Sequence, residues 1–384
     1  MKILFIHNDY IKPSGEEAAS MELANLLEEH GHEVKWFKRK SSDIRGSMGK
    51  LKAFFLGIYN PYAAKDLEKI LDEYEPDVVQ VQNLYPFIST SIFRPLKRRK
   101  VPVVMRCPNY RLFCPNGLCL DRKGHVCERC FSTGKEFWCV YKNCENNRIK
   151  SLGYALRGWY ARTSRNILRS VDVFIVQSEF QKKKFISQSI PSEKICIVPG
   201  IAPAVETPKE WMVGEYVGFV GRVSVEKGID EFIGAARMNP ELRFKVAGNV
   251  DAAYRMLDDL PRNVEFVGFL RGKDLDNFYL KSRIIVVPSK WYEGFPNVII
   301  RGMLLCRPVI TTDIGAMQSI IQDGKNGVLV PPADSQALGI AIHKLYADID
   351  RCKRYALQAM KDVADKYSRD RIYEILIAIY KSLR

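Results

Sequence analysis

Residues 291–310, WYEGFPNVIIRGMLLCRPVI, carry a carboxylate, Glu293, and a cation, Arg301, eight positions apart across a Gly-Phe-Pro turn. A carboxylate accepts hydrogen bonds from sugar hydroxyls. The turn through Gly294, Phe295, Asn297 and Val298 offers backbone N–H groups of the kind that hold phosphate oxygens. A second stretch, FVGRVSVEKGIDEF at 219–232, places Arg222 and Lys227 between a strand end and a helix start. Free N–H groups and the positive end of the helix dipole join two cations there, a combination suited to a diphosphate. The dinucleotide pattern G-x-G-x-x-G and the P-loop are both missing at this point, which excludes the ordinary NAD and ATP fingerprints. The plainer alternative is two surface cations in one loop and a solvated loop carboxylate in the other.

A third signal is cysteine. Cys107, Cys114, Cys119, Cys127, Cys130, Cys139 and Cys144 are seven of the ten cysteines in the chain. Cys127-x-x-Cys130 is the usual half of a structural zinc site. The other half comes from Cys114 or Cys119 together with Cys139 or Cys144. The segment has little periodicity and many turn residues, so without a metal it has few ways to hold a fold. Free or redox-active thiols are the alternative. A disulfide framework is not expected in a reducing compartment.

These residues need elements to position them. KILFIHN is a continuous apolar run, as in a strand buried on both faces. A loop with Pro13, Ser14 and Gly15 follows, then a helical stretch, EEAASMELANLLEEHG, with Gly31 as its C-cap. HEVKWF, DVVQVQN, VPVVMR and VDVFIVQS continue a strand–helix alternation that predicts a parallel sheet. After the proline-rich VPGIAPAVETPKE the pattern restarts with EYVGFVGRV, LRFKVAGN, NVEFVGFL, RIIVVPS and RPVITTD as strands. The expected fold is α/β, with two doubly wound Rossmann-like domains facing a central cleft. The N-terminal domain spans 1–203 with a cysteine-rich insertion at 107–144, and the C-terminal domain spans 204–366. In such sheets ligands sit beyond the carboxyl ends of the strands.

The chain has 384 residues, 47% hydrophobic and 27% charged, an ordinary globular balance. MKILFIHND is too short in its apolar run for a signal peptide, and no run of eighteen apolar residues predicts a membrane span. The expected location is the cytoplasm, with peripheral contact at the inner face of a membrane. The net charge is +15, and most of the excess lies in the first 200 residues, in clusters such as Lys97 to Lys100. That field suits an anionic membrane surface or an anionic substrate. Stacking-aromatic motifs and paired-histidine zinc fingers are missing, so nucleic acid is not an expected partner. SLGYALRGWYARTSRNILRS, residues 151–170, is expected to pack against the sheet with its arginines outward.

GRVSVEKG, VAGN, VVPSKWYEGFPNVIIRGMLLCRPVI and DIGAMQSIIQDGKNGVLVPPAD, in this order over about residues 215–340, resemble the C-terminal domain of family 4 retaining glycosyltransferases. HNDYIKPSGEE, HGHEV, DVVQVQNLYP and NYRLFCPNG resemble, more weakly, the bacterial polysaccharide-type members. The resemblance implies the two-domain GT-B fold and a nucleotide-diphosphate sugar donor of UDP or GDP type. The acceptor it implies is a glycan or lipid-linked glycan, and no catalytic metal is needed. It gives Arg222 and Lys227 the donor diphosphate and Glu293 the transferred sugar. Asn297 and Val298 fall at the phosphate turn, and Gly15, Gly221, Gly248, Gly294 and Phe295 at the donor loops. Glu293, Arg222 and Lys227 are thus the expected catalytic set. It also favours Cys114 and Cys144 as zinc partners of Cys127 and Cys130, and it implies that a C-terminal helix, 367–384, returns to the N-terminal domain.

Three positions depart from the pattern. The second Glu of E-x7-E falls at Arg301, whose guanidinium cannot accept a hydrogen bond from ribose. It is expected to pair with Glu293 or with phosphate. Gln82 and Pro108 stand where relatives carry histidines. Glycosyl transfer that relies on positioning and on charge stabilisation of the leaving diphosphate survives such changes. The alternatives are a catalytically weak or inactive homologue acting as a binding partner, and a sugar-nucleotide epimerase of the same fold.

Overall fold

The computed structural model describes residues 1–10, 15–44, 46–131, 134–251, 254 and 260–384. Pro13 and Ser14 of the expected first loop lie outside them. The chain divides into two compact units. Unit 1 comprises residues 1–123, 127–201 and 369–384, and unit 2 comprises 124–126 and 202–368.

Unit 1 is built on six parallel strands: β1 (Lys2–Asp9), β2 (Glu33–Lys40), β3 (Val78–Asn83), β4 (Val103–Arg106), β5 (Val173–Val176) and β6 (Ile195–Ile197), in the order β2-β1-β3-β4-β5-β6. β3, β4 and β5 are buried at every position; β5 is a continuous apolar run, as expected of a strand covered on both faces, whereas β3 also buries Gln80, Gln82 and Asn83 and β4 ends in the buried Arg106. The first helix, Gly15–Glu29, ends before Gly31, whose φ of 77° supplies the left-handed turn expected of it. Its inward face, Leu23, Ala24, Leu26 and Leu27, shares a core with Ile3 and Phe5. The helix Arg369–Ser382 closes the same core with Ile372, Leu376 and Tyr380. It is tied down by stacking of Tyr373 on His30 at 3.7 Å and by Arg369 pairing with Glu22 and Glu29.

Unit 2 repeats the plan with β7 (Tyr216–Val220), β8 (Phe244–Ala247), β9 (Val264–Gly268), β10 (Ser282–Val287), β11 (Val309–Thr312) and β12 (Val328–Val330), again all parallel, in the order β12-β11-β10-β7-β8-β9. β6 and β12 were not expected from the sequence. Each is three residues long, too short to show a period. Both units are thus doubly wound. Strand order reverses between β1 and β3 in unit 1 and between β7 and β10 in unit 2. At such reversals the helices diverge to opposite faces and leave a crevice at the carboxyl ends of the strands.

One expectation is corrected in part. Of the four arginines in residues 151–170, Arg165 and Arg169 face outward, but Arg157 and Arg162 turn inward. The helix Arg148–Ser164 buries Arg157, which donates to the carbonyl of Pro115 at 3.1 Å and lies over the rings of Tyr154 and Tyr85. Arg162 donates to the carbonyls of Phe113 and Cys130 and pairs with the buried Glu136 at 3.2 Å. The cause is the irregular cysteine-rich segment beside the helix. Its carbonyls have no sheet or helix ladder to enter, and two guanidiniums supply the donors. The exposed large apolar side chains of the helix are Ile149, Leu152 and Trp159.

Candidate active site

Glu293 follows β10 in the loop 288–296, at the carboxyl end of the unit-2 sheet where its strand order reverses. It is 8% exposed, and a single carboxylate oxygen takes three donors. Lys227 Nζ donates at 2.6 Å, Ser289 Oγ at 2.8 Å and Trp291 Nε1 at 2.9 Å. Lys227 also sits over the Trp291 ring, 5.2 Å from its centroid. Burial pushes the Glu293 carboxyl up, but the Lys227 charge and the three hydrogen bonds outweigh it and hold the group below the usual carboxylate range. The site therefore keeps an ionised carboxylate in a protein-walled place.

Lys227 reaches it from the turn Val225–Lys227 that precedes the helix Ile229–Met238. The intervening Gly228 has φ 75°, and a Cβ there would collide with the carbonyl of Pro288. Loop and turn are pinned together by Lys290 N–H donating to the Glu226 carbonyl at 2.9 Å and by Lys290 pairing with Glu231 at 3.0 Å. Arg222 goes elsewhere. It pairs with Glu226 at 2.5 Å and with Asp251 at 3.3 Å, and half of its side chain is in solvent. Next to it, Gly221 (φ 147°) and Gly248 (φ 158°) bring the ends of β7 and β8 into close approach; a Cβ on Gly248 would overlap the Gly221 carbonyl oxygen.

Two details differ from the sequence reading. Arg301 does not pair with Glu293. It lies in the helix Asn297–Leu304 and pairs with Asp276 of the helix Gly272–Lys281. Lys227 already holds the carboxylate, and Asp276 offers the guanidinium a nearer counter-charge. The expected row of free amides is also shortened, because Asn297 N–H turns back to the Phe295 carbonyl at 3.0 Å, a tight i, i+2 turn. The helix Asn297–Leu304 has no side-chain cap at its start. The Phe295 ring packs on Tyr367, with centroids 5.3 Å apart.

In unit 1, Gly15 opens the first helix, and a Cβ there would touch nothing within 4 Å. Gln82 and Pro108, the two other departures, line one small cavity of about 30 Å³ together with Arg106, Asn109 and Arg111. The buried amide of Gln82 has no hydrogen-bond partner among the described residues, nor has Arg106 Nη1. Arg111 is fixed by Asn83 and the Tyr10 hydroxyl, each at 3.0 Å.

The cysteines are all reduced. Cys114 bonds with Cys119, which brings its thiol down to about 7, and Cys139 bonds with Cys144. A tetrahedral zinc at about 2.3 Å from each sulfur would set the sulfurs about 3.8 Å apart. Among the described residues no three thiols stand within 4.8 Å of one another. Cys114, Cys127, Cys130 and Cys144 are therefore neighbours without forming a preformed tetrahedron. One group of other residues does meet that criterion, namely His7, Asp9 and Glu17.

Sequence reasoning missed Glu226, Asp251, Asp276, Ser289 and Trp291. Glu226 was legible as the i+4 partner of Arg222. Asp276 lies too far from Arg301 along the chain for any local pattern to connect them.

Residues 214–348 match the family model described as "Glycosyl transferases group 1". An uncharacterized 42.6 kDa protein in the cps region of Klebsiella pneumoniae is 28% identical over 281 residues, 72% of this chain and 68% of the relative. The capsular polysaccharide biosynthesis glycosyltransferase CapM of Staphylococcus aureus is 29% identical over 175 residues, 43% of this chain and 46% of that protein. The matched stretch thus spans less than half the length of CapM. In three dimensions, Anabaena HepE in complex with UDP superposes with a TM-score of 0.68 at 18% identity, over the whole of both chains. Two doubly wound parallel sheets, with a cation–carboxylate pair at the strand reversal of the second, give the chain the GT-B fold. Residues 214–348 thus form a domain of the kind described as "Glycosyl transferases group 1". Among the described residues no helix is long and apolar enough to cross a membrane.

Proposed function

We propose that the protein is a retaining glycosyltransferase that moves a sugar from a nucleotide-diphosphate donor of UDP or GDP type to a polysaccharide or lipid-linked acceptor. The observation that carries this reading is the convergence of Lys227, Ser289 and Trp291 on the buried Glu293 at the strand reversal of unit 2. A carboxylate with one oxygen already saturated presents the other to sugar hydroxyls. Lys227 and Arg222 supply charge to the diphosphate as it leaves. The close backbone approach at Gly221 and Gly248 leaves room for phosphate where any side chain would intrude. In the step itself the bond from the anomeric carbon to the diphosphate breaks. The acceptor oxygen bonds to the same face, and its proton passes to a diphosphate oxygen. Pairing with Asp276 neutralises Arg301, so its cation is accommodated without a ribose carboxylate. The UDP complex of the Anabaena neighbour supports a UDP-type donor, and the capsular polysaccharide relative supports a glycan acceptor.

Calorimetric titration with UDP and GDP tests the reading. Binding of one of them is expected, weakened at least about tenfold by Lys227→Ala or Arg222→Ala, a factor worth about 1.4 kcal/mol. Unchanged affinity in both variants would refute the donor site. Glu293→Gln is expected to lower transfer far more than nucleotide binding; an equal loss of both reassigns the residue. Two further proposals accompany this one. Peripheral contact with an anionic membrane is supported by the outward Ile149, Leu152 and Trp159 within a basic chain; cosedimentation with anionic but not neutral vesicles checks it. Structural zinc on Cys114, Cys127, Cys130 and Cys144 is supported by the neighbourhood of these thiols. Metal content near one equivalent per chain upholds it, and less than about half an equivalent leaves the segment to the Arg157 and Arg162 contacts.

A further inference from the structure

The strand reversal of unit 1 holds a second constellation that the donor chemistry does not use. His7 and Asp9 are i and i+2 on β1, so both project from one face of the strand at its carboxyl end. Glu17 comes from the first turn of the helix Gly15–Glu29. His7 Nε2 stands 3.7 Å from Asp9 Oδ1 and 3.9 Å from Glu17 Oε1. The His7 side chain is 1% exposed as a residue, yet neither ring nitrogen has a hydrogen-bond partner among the described residues. A buried imidazole with both nitrogens unbonded is costly, since each unmade bond forfeits about 1–3 kcal/mol. The three groups line a cavity of about 360 Å³ with Trp36, Lys38 and Lys40 on its other walls.

We propose that His7, Asp9 and Glu17 form a binding site for a divalent transition-metal ion that opens onto this cavity. Ligand atoms about 2.1 Å from one ion stand about 3.0 Å apart at a right angle and about 3.4 Å apart at the tetrahedral angle. The two His7 spacings, 3.7 and 3.9 Å, are a few tenths of an ångström wider than the tetrahedral value, within the reach of small side-chain rotations. Two carboxylates compensate the charge of the ion, and Glu16 adds a third nearby. Of the opposing cations on the wall, Lys38 is directed over the Trp36 ring at 4.2 Å. The Glu17 oxygen that faces His7, Oε1, also accepts from Tyr10 N–H at 2.7 Å, and such hydrogen bonds fix the orientation of a ligating carboxylate. One imidazole with two carboxylates suits Mn²⁺, Fe²⁺, Co²⁺ or Zn²⁺ better than Mg²⁺ or Ca²⁺, which take all-oxygen sets. Three protein ligands leave open positions toward the cavity. An anionic oxygen of an acceptor would complete the shell there, with Lys38 and Lys40 beside it. The inference stands apart from the donor site, which needs no metal.

The test is a titration of the full chain, stripped with chelator, with Mn²⁺ in the absence of nucleotide. Free Mn²⁺ is read by electron paramagnetic resonance. Mn²⁺ is a hard ion that thiolates bind poorly, so the cysteine segment does not contribute. One site is expected in the wild type, weakened at least about tenfold in Asp9→Asn and in Glu17→Gln. Asp9 and Glu17 are both partly exposed, so these variants keep the core. Unchanged circular dichroism melts confirm it, and if one variant fails to fold the other decides. The proposal is overturned if the wild type leaves millimolar Mn²⁺ free, or if it binds Mn²⁺ equally well in both folded variants. Either result would reduce the trio to a buried histidine with two carboxylates for neighbours.

Discussion

Replacing Lys227 by Met keeps the length of the side chain and deletes its charge. Glu293 would then be a buried carboxylate that retains two donors, Ser289 and Trp291, and no cation. Breaking a fully buried pair costs about 3–5 kcal/mol. Lys227 is 24% exposed in its side chain and two hydrogen bonds remain, so the expected loss is about 1–3 kcal/mol. The readout is hydrogen exchange of the central strands β7 and β10, which reports the opening of unit 2 separately from unit 1. At pH 7 these strands should exchange about 5–150 times faster in the variant than in the wild type. The sign with pH follows from the carboxyl. In the wild type its folded-state pKa is lowered, so its contribution to stability is present above the unfolded value and is lost as pH falls through the folded one. Without Lys227 the burial effect dominates and raises the folded-state value. The variant is then penalised at neutral pH, and the penalty shrinks as pH falls toward 4 and the carboxyl protonates. Glu293→Gln added to Lys227→Met should recover most of the loss. Equal exchange in variant and wild type, or a difference that does not change with pH, would refute the pairing argument.

Other perturbations give independent checks. Arg301→Glu faces Asp276 with a like charge and should lower the melting temperature, while adding Asp276→Lys restores it; no change in the single variant would show that the pair is idle. Gly248→Ala should leave little soluble, folded protein, because the Cβ meets the Gly221 carbonyl and φ is 158°; normal yield and melting would contradict the close approach of β7 and β8. Arg162→Met removes donors from the carbonyls of Phe113 and Cys130 and leaves Glu136 buried without its cation, so iodoacetamide should label Cys114 and Cys130 faster. Unchanged labelling would show that the segment is held by something else. In metal-free wild-type protein, Cys114 alkylation should rise with a midpoint near pH 7, since Cys119 stabilises its thiolate; a midpoint near that of a free thiol would remove that bond.

The sequence by itself determined the architecture. Continuous apolar runs such as 3–6 and 284–287 can be satisfied only by strands covered on both faces, and their alternation with amphipathic stretches requires parallel sheets. It also marked Glu293 and Lys227, because charges in strand-end loops are legible from neighbours along the chain, whereas Gly221 and Gly248 were marked by the family resemblance. It failed where partners are remote or elements are short. Asp276 meets Arg301 only through the packing of two helices, and no periodicity predicts that meeting. The inward turn of Arg157 and Arg162 depended on carbonyls thirty to fifty positions away, left unpaired by an irregular segment. His7 and Asp9 were already a same-face pair in the sequence, but only the docking of the first helix against β1 brought Glu17 to them. Local patterns encode which residues face a core or a strand end. Which charge finds which is decided by tertiary contacts, since electrostatic partners are chosen by distance in space and by burial.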